Sequence, residues 1–230
     1  MTKNPIYCAI DTSSIDDAVR IIDAIHPHIG GIKLGLEFFT SCGLNGIKKI
    51  QKYDLPLFLD FKFYDIPNTV TKSLVNIFAL KPEYTTIHVS GGKKMLKECV
   101  NLKKELNSKT NLIGVTMLTS FDDNSAEEIG INSSIDKNVE NLSELAFNCG
   151  MDGIVCSPKE IRKIREKFGP QLRVIVPGIR NDTINSDDQK RTLSAKEAID
   201  LGADIIVVGR PITSAESPRN AAERFVQSIK

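Results

Sequence analysis

Short runs of β-branched and apolar residues recur along the chain, separated by longer stretches with apolar positions three and four apart. The short runs predict strands at Ile6–Ile10, Gly31–Leu34, Leu57–Phe61, Thr85–Val89, Asn111–Thr116, Gly153–Cys156, Arg173–Val176 and Asp204–Val208. The longer stretches predict helices at Ile15–Ile25, Leu44–Tyr53, Thr69–Leu80, Lys93–Leu106, Asn138–Asn148, Pro158–Lys167, Ala195–Leu201 and Ala221–Ile229. Ile15, Val19, Ile22 and Ile25 set the spacing of one buried helical stripe. Ser14 stands where an N-cap is needed, and Ser157-Pro158 places a cap before a proline at a first helical position.

Eight strands alternating with eight helices imply a parallel sheet, and eight βα units close naturally into a (β/α)8 TIM barrel, an α/β fold. The competing architecture is an open doubly wound sheet. Against it, Cys8-Ala9-Ile10-Asp11-Thr12-Ser13 offers no G-x-G-x-x-G after the first strand. No linker or low-complexity tract marks a second domain, so residues 1–230 read as a single catalytic barrel. The polar stretches Thr119–Asp136 and Asn181–Gln189 are the expected long loops.

Composition narrows the function classes. A chain of 230 residues buries roughly 70% of the surface its unfolded form exposes, so it needs no disulfide or metal staple. Thirty Lys plus Arg against 29 Asp plus Glu leave a net charge of +1, which argues against nucleic-acid coating or polybasic membrane binding. The cysteines Cys8, Cys42, Cys99, Cys149 and Cys156 are scattered, without a C-x-x-C pair, as in a protein of a reducing compartment. The opening apolar segment is too short for a signal peptide, and no apolar run reaches a membrane-spanning length. A cytoplasmic location is expected.

In a barrel of this type the active site lies at the C-terminal ends of the strands. Those positions hold Asp11, Lys33, the trio Asp60, Lys62 and Asp65, then His88, Thr116 and Thr119. The seventh strand ends in Pro177-Gly178-Ile179-Arg180 and the eighth in Gly209-Arg210. Asp60 and Lys62 interrupt an apolar run and, two apart on a strand, face the same side. Lys33 on the neighbouring strand reaches the same region. Two acids and two bases at a barrel mouth are costly to desolvate unless they neutralise one another. Such a group either ties strands together as an ion-pair network or carries chemistry. Gly178 and Gly209 would let backbone N–H groups come close to an anion, with Arg180 and Arg210 adding bidentate donors, and phosphate sites are frequent at this place in these barrels. His26-Pro27-His28 falls at a helix end with no third ligand nearby and reads as a solvated loop. Taken together, these residues describe a cofactor-free barrel enzyme acting on a phosphorylated metabolite. A Schiff-base aldolase using one of the lysines fits the same description.

The run Asp60-Phe61-Lys62-Phe63-Tyr64-Asp65-Ile66-Pro67-Asn68-Thr69 resembles the orotidine 5′-monophosphate decarboxylase family, whose D-x-K-x-x-D-I-P-x-T motif it carries in full. Barrel relatives that decarboxylate keto-gulonate phosphate, or join formaldehyde to a pentulose phosphate, share D-x-K-x-x-D without I-P-x-T. The resemblance spans the chain: Ala9-Ile10-Asp11, Ile32-Lys33-Leu34-Gly35, Val115–Ser120, Pro177–Arg180, Asp188–Arg191 and Val207–Ile212 match as well. Tyr64 stands where His is common, and Leu193-Ser194 replaces a usual Thr-Pro.

The resemblance implies decarboxylation of orotidine 5′-monophosphate to uridine 5′-monophosphate, the last step of pyrimidine nucleotide synthesis, without metal, flavin or pyridoxal. It implies that Lys62 stabilises and protonates a C6 carbanion, beside Asp60, Lys33 and Asp65. Asp11 and Lys33 would hold ribose hydroxyls, Thr119 the pyrimidine edge, and Arg180, Gln189, Gly209 and Arg210 the 5′-phosphate. Finally, it implies a homodimer in which Asp65 and Thr69 serve the partner's site.

Overall fold

The computed structural model describes residues 4–180 and 193–230. Among them, eight parallel strands close into a barrel in sequence order: β1 (Ile6–Ala9), β2 (Gly31–Gly35), β3 (Leu57–Phe63), β4 (Tyr84–His88), β5 (Asn111–Val115), β6 (Gly153–Val155), β7 (Arg173–Val176) and β8 (Ile205–Val208). Closure comes from β1 pairing with β8, Cys8 opposite Val208. The helices are α1 (Ile15–Ile25), α2 (Leu36–Ile50), α3 (Pro67–Ala79), α4 (Gly92–Glu105), α5 (Asp123–Glu128), α6 (Ile135–Cys149), α7 (Ile161–Phe168), α8 (Ala195–Asp200), α9 (Arg210–Thr213) and α10 (Pro218–Ser228).

Alternation along the strands builds two cores. One set of side chains, including Leu57, Leu59 and Phe61 of β3, packs outward against the helices. The other set fills the barrel itself: Tyr7, Ala9, Phe58, Tyr84, Ile113, Ile175, Ile205 and Val207. Gly31 faces this interior, and a Cβ there would lie 2.2 Å from the Tyr7 ring, so the missing side chain makes room for an aromatic one.

The expected caps are present. The Ser14 side chain accepts from the Asp17 N–H at the start of α1, and Ser157 with Glu160 forms a capping box before α7. The long α2 contains a break: Gly43 has φ 57° and ψ −160°, so the predicted start at Leu44 marks its second half. Thr40-Ser41-Cys42-Gly43 lacks strong helix formers, which hid the first half. The polar stretch after β5 holds the short helix α5, capped by Asp122. Ser194 caps α8 in a box with Glu197, which explains a serine where proline is usual. No helix of the described residues is long and apolar enough to cross a membrane.

Candidate active site

Leu59 of β3 pairs with Thr85 and Phe63 with Ile87, so four steps along β3 match two along β4. The surplus is a bulge at Asp60-Phe61-Lys62, and Lys62 takes a left-handed backbone with φ 50°. Both polar side chains of the bulge reach the mouth. Lys62 Nζ lies 2.8 Å from Asp60 Oδ2, and Lys33 Nζ of β2 lies 3.7 Å from the same oxygen and 3.0 Å from Asp11 Oδ1. The Thr86 hydroxyl donates to Asp60 Oδ1 at 2.9 Å and accepts from the Lys62 N–H at 2.8 Å.

Burial of this group is uneven. The Lys33 and Asp60 side chains are 10% and 12% exposed, whereas Lys62 is 34% and Asp11 50% exposed. Burial by itself would neutralise Asp60; Lys33 and Lys62, helped by the Thr86 hydroxyl, outweigh it and hold the carboxyl below its ordinary range. Burial likewise opposes the charge on Lys33, but Asp60 and Asp11 keep the ammonium above its ordinary value. His88, at the end of β4, is pushed down by burial and then by Lys62, and its ring packs 5.6 Å from that of Tyr64.

These groups form one side of a cavity of about 460 Å³ at the C-terminal ends of the strands. Its floor is Ala9, Phe58, Val155, Ile175 and Val207, and its far side carries Gly178, Arg180, Gly209 and Arg210. In a closed barrel of eight, β3 stands opposite β7, so Asp60 and Lys62 face the Gly178–Arg180 turn across the mouth, whereas Gly209 and Arg210 follow β8, the neighbour of β1 and hence of Asp11. Gly178 has φ 78°, a conformation that turns the chain sharply after β7. Gly209 caps the single turn α9, and the Arg180 N–H donates to the Leu193 carbonyl, bringing together the flanks of residues 181–192. Volume alone does not single out this cavity, since a groove of about 410 Å³ lies at the other barrel end, before β4 and β5. Its lining, with Lys81 and Lys109 among apolar groups, holds no carboxylate.

Of the residues expected from sequence, the cavity is lined by Asp11, Lys33, Asp60, Lys62, Thr119, Arg180, Gly209 and Arg210. Asp65 and Thr69 are not brought into it. Both are exposed, and the Asp65 carboxylate accepts from the adjacent Ile66 N–H at 2.6 Å. Gln189 and the expected loop 181–189 lie outside the described residues. His26-Pro27-His28 forms a turn in which His28 Nε2 lies 3.2 Å from a Glu223 oxygen. Two mouth residues escaped the sequence reading, Glu37 just after β2 and Thr86 inside β4. Thr86 has a signal in retrospect: it alternates with Tyr84, which faces the barrel interior, and so faces inward as well.

Fold and site define a class, the (β/α)8-barrel enzymes with a charged pocket at the C-terminal strand ends. Residues 4–225 match the model of the Orotidine 5′-phosphate decarboxylase / HUMPS family, and the chain belongs to that family. It is 44% identical over 226 residues to orotidine 5′-phosphate decarboxylase of Wolbachia sp. subsp. Brugia malayi, covering 98% of this chain and 99% of the relative. The Ehrlichia chaffeensis enzyme of the same name is 44% identical over 230 residues, covering 100% and 98%. The crystal structure of orotidine 5′-phosphate decarboxylase from Lactobacillus acidophilus superposes with a TM-score of 0.85 at 32% identity, covering 99% of both chains.

Proposed function

We propose that this chain is a carboxy-lyase converting orotidine 5′-phosphate to uridine 5′-phosphate and CO2 in pyrimidine nucleotide synthesis. The observation that carries the mechanism is the Asp60 carboxylate held between two lysine ammoniums at the barrel mouth. The C6–carboxylate bond breaks, CO2 departs, and the bonding electron pair stays on C6. No adjacent carbonyl lies in the right orbital to delocalise it. The Lys62 ammonium stabilises that charge and gives its proton to C6, after which water reprotonates the amine. Asp60 pairs with the Lys62 ammonium and presses a like charge against the substrate carboxylate. Asp11 and Lys33 take ribose hydroxyls, and Thr119 reads the pyrimidine edge.

Arg180 and Arg210, with backbone N–H groups near Gly209, receive the 5′-phosphate, joined by Gln189. Binding energy gained there, away from C6, is available to organise the reacting end. The active unit is a homodimer with composite sites. In support, Asp65 and Thr69 are exposed and do not line the cavity of their own chain, and Tyr64 and Ile66 beside them are 64% and 65% exposed, an unusual exposure for large apolar groups. A two-fold axis would let each subunit lend and receive the same segment.

The test follows the absorbance of the orotate ring during incubation with pure, chelator-treated protein. Loss of the signal with formation of uridine 5′-phosphate is expected, and an unchanged spectrum overturns the assignment. A Schiff-base aldolase would instead be trapped covalently on its sugar phosphate by borohydride.

A further inference from the structure

A bulge removes residues from the β-ladder, and each backbone group it releases must find another partner. In β3 the released group is the Lys62 N–H. The atom that receives it is not a backbone carbonyl of β4 but the Thr86 hydroxyl, at 2.8 Å. The same hydroxyl passes its own proton toward Asp60 Oδ1 at 2.9 Å. Thr86 is fully buried, and its hydroxyl has one proton to donate, committed to that carboxylate. One small side chain thus engages both residues of the reacting pair, the lysine through its backbone and the aspartate through its carboxylate.

The consequence for Asp60 is directional. With Oδ1 held by Thr86, the carboxylate cannot rotate freely, and Oδ2 is the oxygen left to meet Lys62 Nζ at 2.8 Å and Lys33 Nζ at 3.7 Å. The consequence for Lys62 is conformational. A non-glycine residue at φ 50° is disfavoured on its own and persists only where its surroundings fix it. Without the hydroxyl, the Lys62 N–H would lose the partner that the bulge requires. We infer that Thr86 is a positioning residue of the decarboxylase site, fixing the left-handed backbone of Lys62 and the orientation of the Asp60 carboxylate together. Resting on the decarboxylase assignment, this adds a residue that touches neither substrate nor reacting atoms.

Thr86→Val keeps the shape and removes the hydroxyl, while Thr86→Ser keeps the hydroxyl and removes a methyl group. Both are compared with wild type in the full chain for kcat, KM and the pH profile. The groups facing the Asp60 carboxylate are Lys33 from β2, Lys62 from β3 and His88 from β4, with Asp11 beyond Lys33. Thr86→Val is expected to lower kcat roughly ten- to a hundred-fold, the loss of one hydrogen bond to a charged group, with KM changed less than about threefold. Its acid limb should move to higher pH, because the lost donor was one of the influences holding Asp60 low. Thr86→Ser should recover most of kcat and the wild-type limb.

A Thr86→Val enzyme with wild-type kcat, a loss carried by KM alone, an unmoved acid limb, or a Thr86→Ser variant as impaired as Thr86→Val would each overturn the inference. If Thr86→Val does not fold, Thr86→Ala replaces it under the same expectations. A wild type inert toward orotidine 5′-phosphate overturns the decarboxylase assignment instead. The Asp60 carboxyl titration by 13C NMR in wild type and Thr86→Val then decides, an upward move supporting the positioning and no move refuting it.

Discussion

The two ends of the barrel carry charge in different ways. At the N-terminal end, charged side chains close onto the backbone. Arg165 donates to the carbonyls of Gly169, Leu172 and Gly202 and pairs with Asp204, whose carboxylate accepts from the Val174 N–H. Asp152 accepts from the Leu112 N–H at 2.8 Å and from Lys103 at 2.6 Å. Beneath the barrel interior, Tyr7 and Tyr84 both donate to Glu83 at 3.2 Å, and their rings meet edge-on. Burial, followed by Glu83, pushes Tyr84 up to about 12 and Tyr7 higher still, so both stay protonated donors.

At the C-terminal end, the Asp60 carboxylate has side-chain partners, Thr86, Lys62 and Lys33, and opens onto a cavity. Charges satisfied by backbone pin loops and strand starts; charges satisfied by one another can turn toward a ligand.

The largest expected effect tests whether the mouth is completed by a second subunit. Lys62→Ala and Asp65→Ala should each be nearly inactive alone, losing on the order of a thousandfold or more in kcat. Mixed at equal amounts and allowed to reassort, they should regain roughly a quarter of wild-type activity, because half the dimers then have one site with both defects and one with neither. A mixture that stays inactive would confine each site to one chain. Next in size is the phosphate side. Arg210→Ala should lower kcat/KM by roughly a hundredfold or more, with partial recovery on adding a guanidinium ion, as expected for a charge-assisted contact to phosphate. Wild-type behaviour at low substrate would remove Arg210 from the phosphate site.

Much of this contrast was legible in the sequence. Runs such as Leu57–Phe61 and Arg173–Val176 locate strands because buried parallel strands are apolar along their length, and a polar residue at the run's end then falls at the mouth. Asp11, Lys33, Asp60 and Lys62 were found this way, and they do gather. The bulge at Lys62 was not legible, because it depends on the register of β3 against β4 and leaves no mark in either strand alone. Alternation with Tyr84 turns Thr86 inward, but its contact with the Lys62 N–H depends on the same register and was hidden with it. Glu37 lies in a helical segment masked by Thr40-Ser41 and the break at Gly43. Asp65 was legible as a motif residue, while its place outside the lining of its own cavity required the structure.

Two smaller effects sharpen the comparison through stability. Asp60 is held below its unfolded value and Lys33 above its own. The contribution of Asp60 is therefore complete above about pH 4 and fades as pH falls through its folded value. That of Lys33 is complete below about pH 10 and fades as pH rises through its folded value. Thermal unfolding of wild type and Asp60→Asn across pH should show their difference narrowing below about pH 4. At the other end, Tyr84→Phe removes a hydroxyl donor to Glu83 and should cost about 1 kcal/mol in unfolding free energy with kcat unchanged. A change in kcat would mean that the two ends are coupled.

The central claim, that Lys62 delivers the proton replacing CO2 at C6, is tested most directly in D2O. Wild-type protein should convert orotidine 5′-phosphate to uridine 5′-phosphate carrying a single deuterium at C6, read by NMR. Lys62→Ala, folded and still binding uridine 5′-phosphate, should form product on the order of a thousandfold or more slowly. Deuterated product from Lys62→Ala at a rate near wild type would contradict the claim.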